Sequence, residues 1–163
     1  MGKLAKQKDL ARTLNFINSD SQKILNMFVS SYSHECEVMS LTDVDPFNNE
    51  GLYLLIKGGE VVYVGMTNNI FRRLGQHVDS DKVFKRCLFI NFKHSQRLEE
   101  RERILISIFC PKYNLKDKQI EAIDVTTLYK GKIGSINKTI KDGIKAYERN
   151  FLKRADEFYN VRL

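Results

Sequence analysis

Three sets of side chains in this sequence sit where packing alone would not place them. Glu102 falls inside the apolar stripe of a helix expected over 96–109. Leu98, Leu105 and Phe109 mark the centre of that stripe and Ile106 flanks it, while Glu99, Glu100, Arg103 and Ser107 take the polar side. An ionised carboxylate on a core-facing stripe costs free energy unless it is paired or bound to a cation. Glu102 therefore reads either as half of an ion pair, with Arg101 or Arg73, or as a metal ligand. Arg73 and His77, four apart, border the inward face of another helix, marked by Ile70, Leu74 and Val78, while Arg72 and Gln76 point away. A guanidinium matches phosphate oxygens bidentately, so this pair is a candidate phosphate site or else a solvated helix flank. Tyr53 and Tyr63 bracket a hairpin, where they are ordinary strand packers or two phenols of one site.

The elements that must position them follow from periodicity and turn chemistry. Residues 3–14 read as a basic helix, and Ser19-Asp20-Ser21-Gln22 resembles a capping box opening a second one, with Ile24, Leu25, Phe28 and Tyr32 on one face. Two β-rich runs, 51–57 and 60–65, join across Gly58-Gly59, a strong hairpin signal. Thr67 can cap the helix that carries Arg73, and 87–92 reads as a third strand. Ser95 can cap the helix that carries Glu102, which must end before Pro111. A last amphipathic helix is expected over 135–158, with Ile136, Ile140, Ile144, Tyr147 and Phe151 in register.

Strand parity sharpens the tyrosine question. With a plain two-residue loop at Gly58-Gly59, Lys57 faces Glu60 and Tyr63 faces Leu54, which puts the two tyrosines on opposite sides of the sheet. They share a face only if the connection has an odd length or a bulge shifts the register by one. A common site for both predicts one of those two irregularities.

Composition limits the classes of function. The 163 residues carry 27 basic and 20 acidic side chains, a net +7 that favours an anionic partner. The first fifty residues hold five basic and seven acidic groups, so all the excess lies further along. The stretch from Lys130 to Arg154 is densest, with eight basic residues against Asp142 and Glu148. Cys36, Cys87 and Cys110 are widely spaced and odd in number, which indicates neither a disulfide framework nor a zinc knuckle. His34-Glu35-Cys36-Glu37 is not a zinc-protease helix, and no G-x-S-x-G, P-loop or dinucleotide fingerprint occurs. No apolar run reaches membrane-spanning length and Met1 to Lys6 leads straight into charged residues, so a soluble cytoplasmic chain without a membrane partner is expected.

Taken together, the motifs resemble a known family. Gly51-Leu52-Tyr53 and, after nine intervening residues, Tyr63-Val64-Gly65 resemble the paired signature of GIY-YIG nucleases. Arg73 stands eight residues after Gly65, as the family's helical arginine does, and His77 follows one turn later. Glu102 matches the family's metal-binding glutamate, and Pro111-Lys112-Tyr113-Asn114 resembles the ending that supplies its asparagine. The stretch from Glu102 to Asn114 looks especially like the nuclease domain at the N-terminus of the excision-repair incision subunit. The resemblance covers about residues 50–116 and departs in two respects. The spacing between the tripeptides is slightly short, and Met66 stands where some relatives carry a polar or basic residue.

The resemblance implies an α+β fold with a three-stranded antiparallel sheet flanked by helices. It also implies hydrolysis of DNA phosphodiesters with one divalent metal, Mg2+ or Mn2+. Tyr53 is then the general base, its phenol lowered by Arg73 or the water network of the metal. Arg73 stabilises developing charge, Glu102 holds the metal, Tyr63 and His77 orient water or phosphate, and Asn114 braces the glutamate end. The expected organisation is a helical extension (1–46), a nuclease core (47–118) and a basic helical extension (119–163) packed on or beside it. Arg72, Lys138, Lys141, Lys145 and Arg149 are the candidate DNA contacts, although a basic helix face is equally the solvated outside of a packed helix. Size and analogy suggest a phage, mobile-element or restriction-type enzyme, and a double-strand break requires a homodimer or sequential nicks. The alternatives are a non-catalytic DNA-binding module on the same fold, or one that acts on RNA or at a membrane surface.

Overall fold

The computed structural model describes residues 14–32, 35–47, 49–93, 97–114 and 138–160, with side chains in the last helix to residue 153. The helix expected over 3–14 lies almost wholly outside these residues, as do the Ser95 cap, Ser135 and Ile136.

Helix α1 spans Ser19–Ser31 and buries Ile24, Leu25, Met27 and Phe28. Its cap is Asn18, one residue before the expected Ser19: the Asn18 Oδ1 accepts from the Ser21 N–H at 2.8 Å. Asn18 takes this position because its backbone N–H is also bonded to the Gly59 carbonyl at 2.9 Å, which ties the start of the helix to the hairpin turn.

The sheet has four antiparallel strands rather than the expected three, in the order β1-β4-β2-β3. The additional strand is β1 (Cys36–Ser40), within the stretch expected to be a helical extension; it pairs with β4 (Arg86–Phe92) from Cys36↔Phe92 to Ser40↔Leu88. Five residues with Glu37 among them carry too little alternation to read as a strand, and the pairing comes from the waiting edge of β4.

β2 (Gly51–Lys57) and β3 (Glu60–Thr67) form the hairpin. Gly58 and Gly59 both take positive φ, 57° and 83°, the backbone that a tight two-residue hairpin turn demands, and Lys57 pairs with Glu60. The register then shifts: Ile56 pairs with Val61 but Leu55 with Tyr63, leaving Val62 as the extra residue of a bulge. Of the two irregularities that a shared tyrosine site requires, the bulge is the one present.

β2 is central and covered on both faces, so six of its seven residues are buried. Leu52, Leu54 and Ile56 join the larger core with α1 and the last two helices, while Tyr53 and Leu55 point into a smaller second core with Val44, Val62, Ile70, Cys87 and Phe89. α2 (Ile70–Val78) lies on this second side. Its cap is Asn69, whose Oδ1 accepts from the Arg72 N–H at 3.1 Å, rather than Thr67, whose hydroxyl accepts from the Asn69 N–H. His77 is buried at 4% exposure and Val78 is 71% exposed, the reverse of the apolar face expected from composition. α3 (Leu98–Phe109) ends where Cys110 turns left-handed at φ 45° ahead of Pro111. α4 (Lys138–Asn160) buries Ile140, Ala146 and Tyr147 in the larger core. It crosses α1 so closely at Gly143 that a Cβ there would collide with Met27 and the Lys23 carbonyl. The C-terminal helix is thus packed on the sheet's helical layer.

Candidate functional site

Four of the expected site residues meet on the second face of the sheet. The Tyr53 hydroxyl lies 2.7 Å from His77 Nε2, and the Arg73 Nε–H donates to the same oxygen at 3.3 Å. The Tyr63 ring stands 5.9 Å from that of Tyr53 and 4.9 Å, edge-on, from the imidazole of His77. The bulge brings Tyr63 here, and the turn from Arg73 to His77 brings both of those side chains over Tyr53. The motif glycines are steric necessities. A Cβ on Gly65, the cross-strand partner of Tyr53, would stand 2.5 Å from the Tyr53 hydroxyl oxygen, and one on Gly51 would strike the Ile90 carbonyl and the Phe89 ring.

Burial favours the neutral forms of Tyr53 and His77. Burial pushes the Tyr53 phenol up, and the nearby Tyr63 adds to this; the Arg73 hydrogen bond pulls the other way and is outweighed. Arg73 thus pulls the phenol in the direction that a general base needs, but in the resting protein burial outweighs it. Tyr53 is wholly enclosed, and an anion there loses its hydration. Burial likewise pushes His77 down to about 4, assisted by the positive charges of Lys82 and Arg73. The hydrogen bond to Tyr53 holds Arg73 still more firmly in its charged form.

The other two expected residues line the outer edge of β3. Glu102 Oε1 accepts from the Met66 N–H at 3.0 Å. Asn114 makes a two-way clasp on Val64: its Oδ1 accepts from the Val64 N–H and its Nδ2 donates to the Val64 carbonyl, each at 2.8 Å. The Tyr113 N–H donates to the Val62 carbonyl at 3.0 Å. Edge groups that would otherwise invite another strand are thus satisfied by α3 and the turn after it. Asn114 braces β3 itself, and the Glu102 carboxylate is held at Met66, the residue after Gly65.

No group of three or more His, Cys, Asp or Glu side chains converges among the described residues. The donor set at Glu102 is a single half-buried carboxylate with one oxygen on a backbone N–H. That suits Mg2+, which binds through one or two carboxylates and keeps much of its water; it does not suit a zinc-type cage.

We compared the chain with protein-family models, curated proteins and solved structures. Nothing matches in any of the three. No helix among the described residues is long and apolar enough to cross a membrane.

The candidate DNA contacts are scattered. Arg72 is exposed on α2. Lys138, Lys141 and Lys145 are exposed on α4, which packs on the sheet face away from Tyr53. Arg149 pairs with Asp20 of α1 at 2.6 Å and so helps fasten α4. Two residues that the motif argument passes over are prominent. Arg101 is buried, paired with Glu35 and set against the Tyr32 and Phe92 rings; it lies nearer the centre of the α3 stripe than Ile106 does on the other side, so a helical wheel could have flagged it. Lys82 sits with its ammonium 5.2 Å from the centre of the Tyr63 ring, and no spacing rule points to it.

Proposed function

We propose that this protein is a divalent-metal-dependent endonuclease that hydrolyses DNA phosphodiester bonds at a site of the GIY-YIG type. One observation carries the reading. Tyr53, Tyr63, Arg73 and His77 come together on one sheet face, and Glu102 is hydrogen-bonded to the residue after Gly65, although the five span fifty positions of sequence.

Each residue has a role that its geometry permits. Arg73 supplies fixed positive charge beside the Tyr53 oxygen, where it can stabilise charge gathering on phosphoryl oxygens. Glu102 is the residue to hold Mg2+ or Mn2+, which polarises the phosphate and assists the departing oxygen. Tyr53 becomes a base only by giving up its proton, and His77 Nε2, at 2.7 Å, is the acceptor in place. In the resting protein both groups resist that transfer. An anionic phosphate docked beside Lys82 offsets one of the two cations that add to the effect of burial on His77, which makes the imidazole a better acceptor. Tyr63, half-buried at the same face, orients water or phosphate.

The complete enclosure of Tyr53 favours a second reading, a nucleic-acid-binding module on the same fold in which the phenol is structural. A plasmid-cleavage assay with and without chelator decides between them. The nuclease reading expects Mg2+-dependent nicking or linearisation that Glu102→Gln abolishes while DNA binding persists. Binding without cleavage by the unaltered protein, across Mg2+ and Mn2+, overturns it.

A further inference from the structure

Lys82 belongs to the loop between α2 and β4, and that loop is fastened to the site at two points and braced internally at a third. The Ser80 hydroxyl donates to the His77 carbonyl at 2.7 Å, and the same oxygen accepts from the Lys82 N–H at 3.2 Å. The Val83 N–H then donates to the Tyr113 hydroxyl at 2.9 Å, while the Tyr113 backbone is bonded to β3. The backbone on both sides of Lys82 is thereby tied to His77 and to the 111–114 turn. Its half-buried side chain lies over Tyr63, close enough for its charge to act on His77. Arg73 approaches the same aromatic cluster from the Tyr53 side. Two cations thus flank the Tyr53–His77–Tyr63 group, one on its helix and one on its loop. The basic face of α4 lies across the sheet, so among the described residues Arg73 and Lys82 are two charges placed to meet an anion at this site.

We propose that Lys82 is a phosphate-binding residue of this site, contacting a backbone phosphate of the bound nucleic acid beside Tyr63. This rests on the nuclease reading above and assigns it a substrate contact that the motif does not contain. Lys82 delivers an ammonium to the cluster from a loop that lies outside the motif. A lysine held against an aromatic face at modest exposure keeps its charge and loses little entropy on meeting a phosphate.

The test is duplex-DNA binding measured by fluorescence anisotropy across a salt series in the Glu102→Gln protein without metal, so that cleavage does not interfere. Adding Lys82→Met removes the charge and keeps an apolar stem over Tyr63. It should weaken binding about fivefold at moderate salt and reduce the slope of log Kd against log salt by about 1. Lys82→Arg should restore both. In the cleaving protein, Lys82→Met should raise KM with kcat less affected. An unchanged salt slope, with the thermal midpoint also unchanged, overturns the role of Lys82 and leaves the nuclease reading standing. A role limited to packing predicts a lower midpoint with that same unchanged slope, and overturns the proposal equally. If Lys82→Met does not fold, Lys82→Gln provides the same comparison. If the parent protein binds no DNA, the nuclease reading falls and this inference falls with it.

Discussion

The Tyr53 hydroxyl and His77 Nε2 are 2.7 Å apart, joining the central strand to α2 across 24 positions of sequence. With Arg73 donating to the Tyr53 oxygen, the phenol can in turn donate to Nε2 when His77 carries its ring proton on Nδ1. Both partners are buried and both are pushed toward their neutral forms, so this bond is at once part of the fold and the poised element of the site.

Tyr53→Phe tests the two roles together. It leaves His77 Nε2 and Arg73 Nε without their shared partner inside the second core, which should cost about 1–3 kcal/mol by the usual penalty for an orphaned buried polar group. Denaturant melts measure that loss, and DNA cleavage should fall by far more than stability does. Retained cleavage in a folded variant would remove Tyr53 from the chemistry.

Stability should depend on pH through His77. The ordinary imidazole value near 6.5 falls to about 4 in the folded protein, so the unfolded chain takes up the proton first as pH drops. The stabilisation is complete above about pH 6.5 and is lost progressively down to about pH 4, by up to about 3 kcal/mol. Thermal melts across that window should show the fall, and His77→Gln should flatten it.

Gly65→Ala places a methyl against the Tyr53 ring. Displacing a fully buried tyrosine should cost about 1–3 kcal/mol, the usual range for overpacking. The larger consequence is expected in the site, where the Tyr53 hydroxyl must leave His77 or Arg73. Near-ultraviolet circular dichroism, together with cleavage rates, reports the displacement.

Asn114→Ala removes both hydrogen bonds on Val64 and exposes part of the β3 edge. A loss of about 1–3 kcal/mol is expected, along with faster hydrogen exchange at Val64. Asn114→Asp should not rescue it, because a carboxylate can accept from the Val64 N–H but meets the Val64 carbonyl with a second acceptor. If Asn114→Asp behaved like the parent, the clasp would not be the function of this residue.

Local chemistry accounts for much of what could be read without coordinates. Two glycines at positive φ make the hairpin turn, helical spacing marks α1, α3 and α4, and strand parity demands an odd-length connection or a bulge if the two tyrosines act together. Local rules fail where a distant partner decides. β1 is too short and polar to announce itself, and it becomes a strand because β4 offers an unpaired edge. His77 displaces Val78 from the buried face because a hydrogen bond to Tyr53 satisfies an imidazole that hydropathy would leave in water. Arg149 is one of six basic residues on a helix until Asp20, 129 positions earlier, is folded beside it.

The sequence by itself therefore determined which residues are available for chemistry: two tyrosines, an arginine and histidine one turn apart, and a carboxylate on an apolar stripe. Only the tertiary structure decided their states and their neighbours. It made Tyr53 a buried neutral phenol rather than a lowered one, turned Asn114 into a brace for β3, and set Lys82 over Tyr63. The physical reason is that spacing governs direction along one element, whereas burial, charge and hydrogen-bond partners arise between elements.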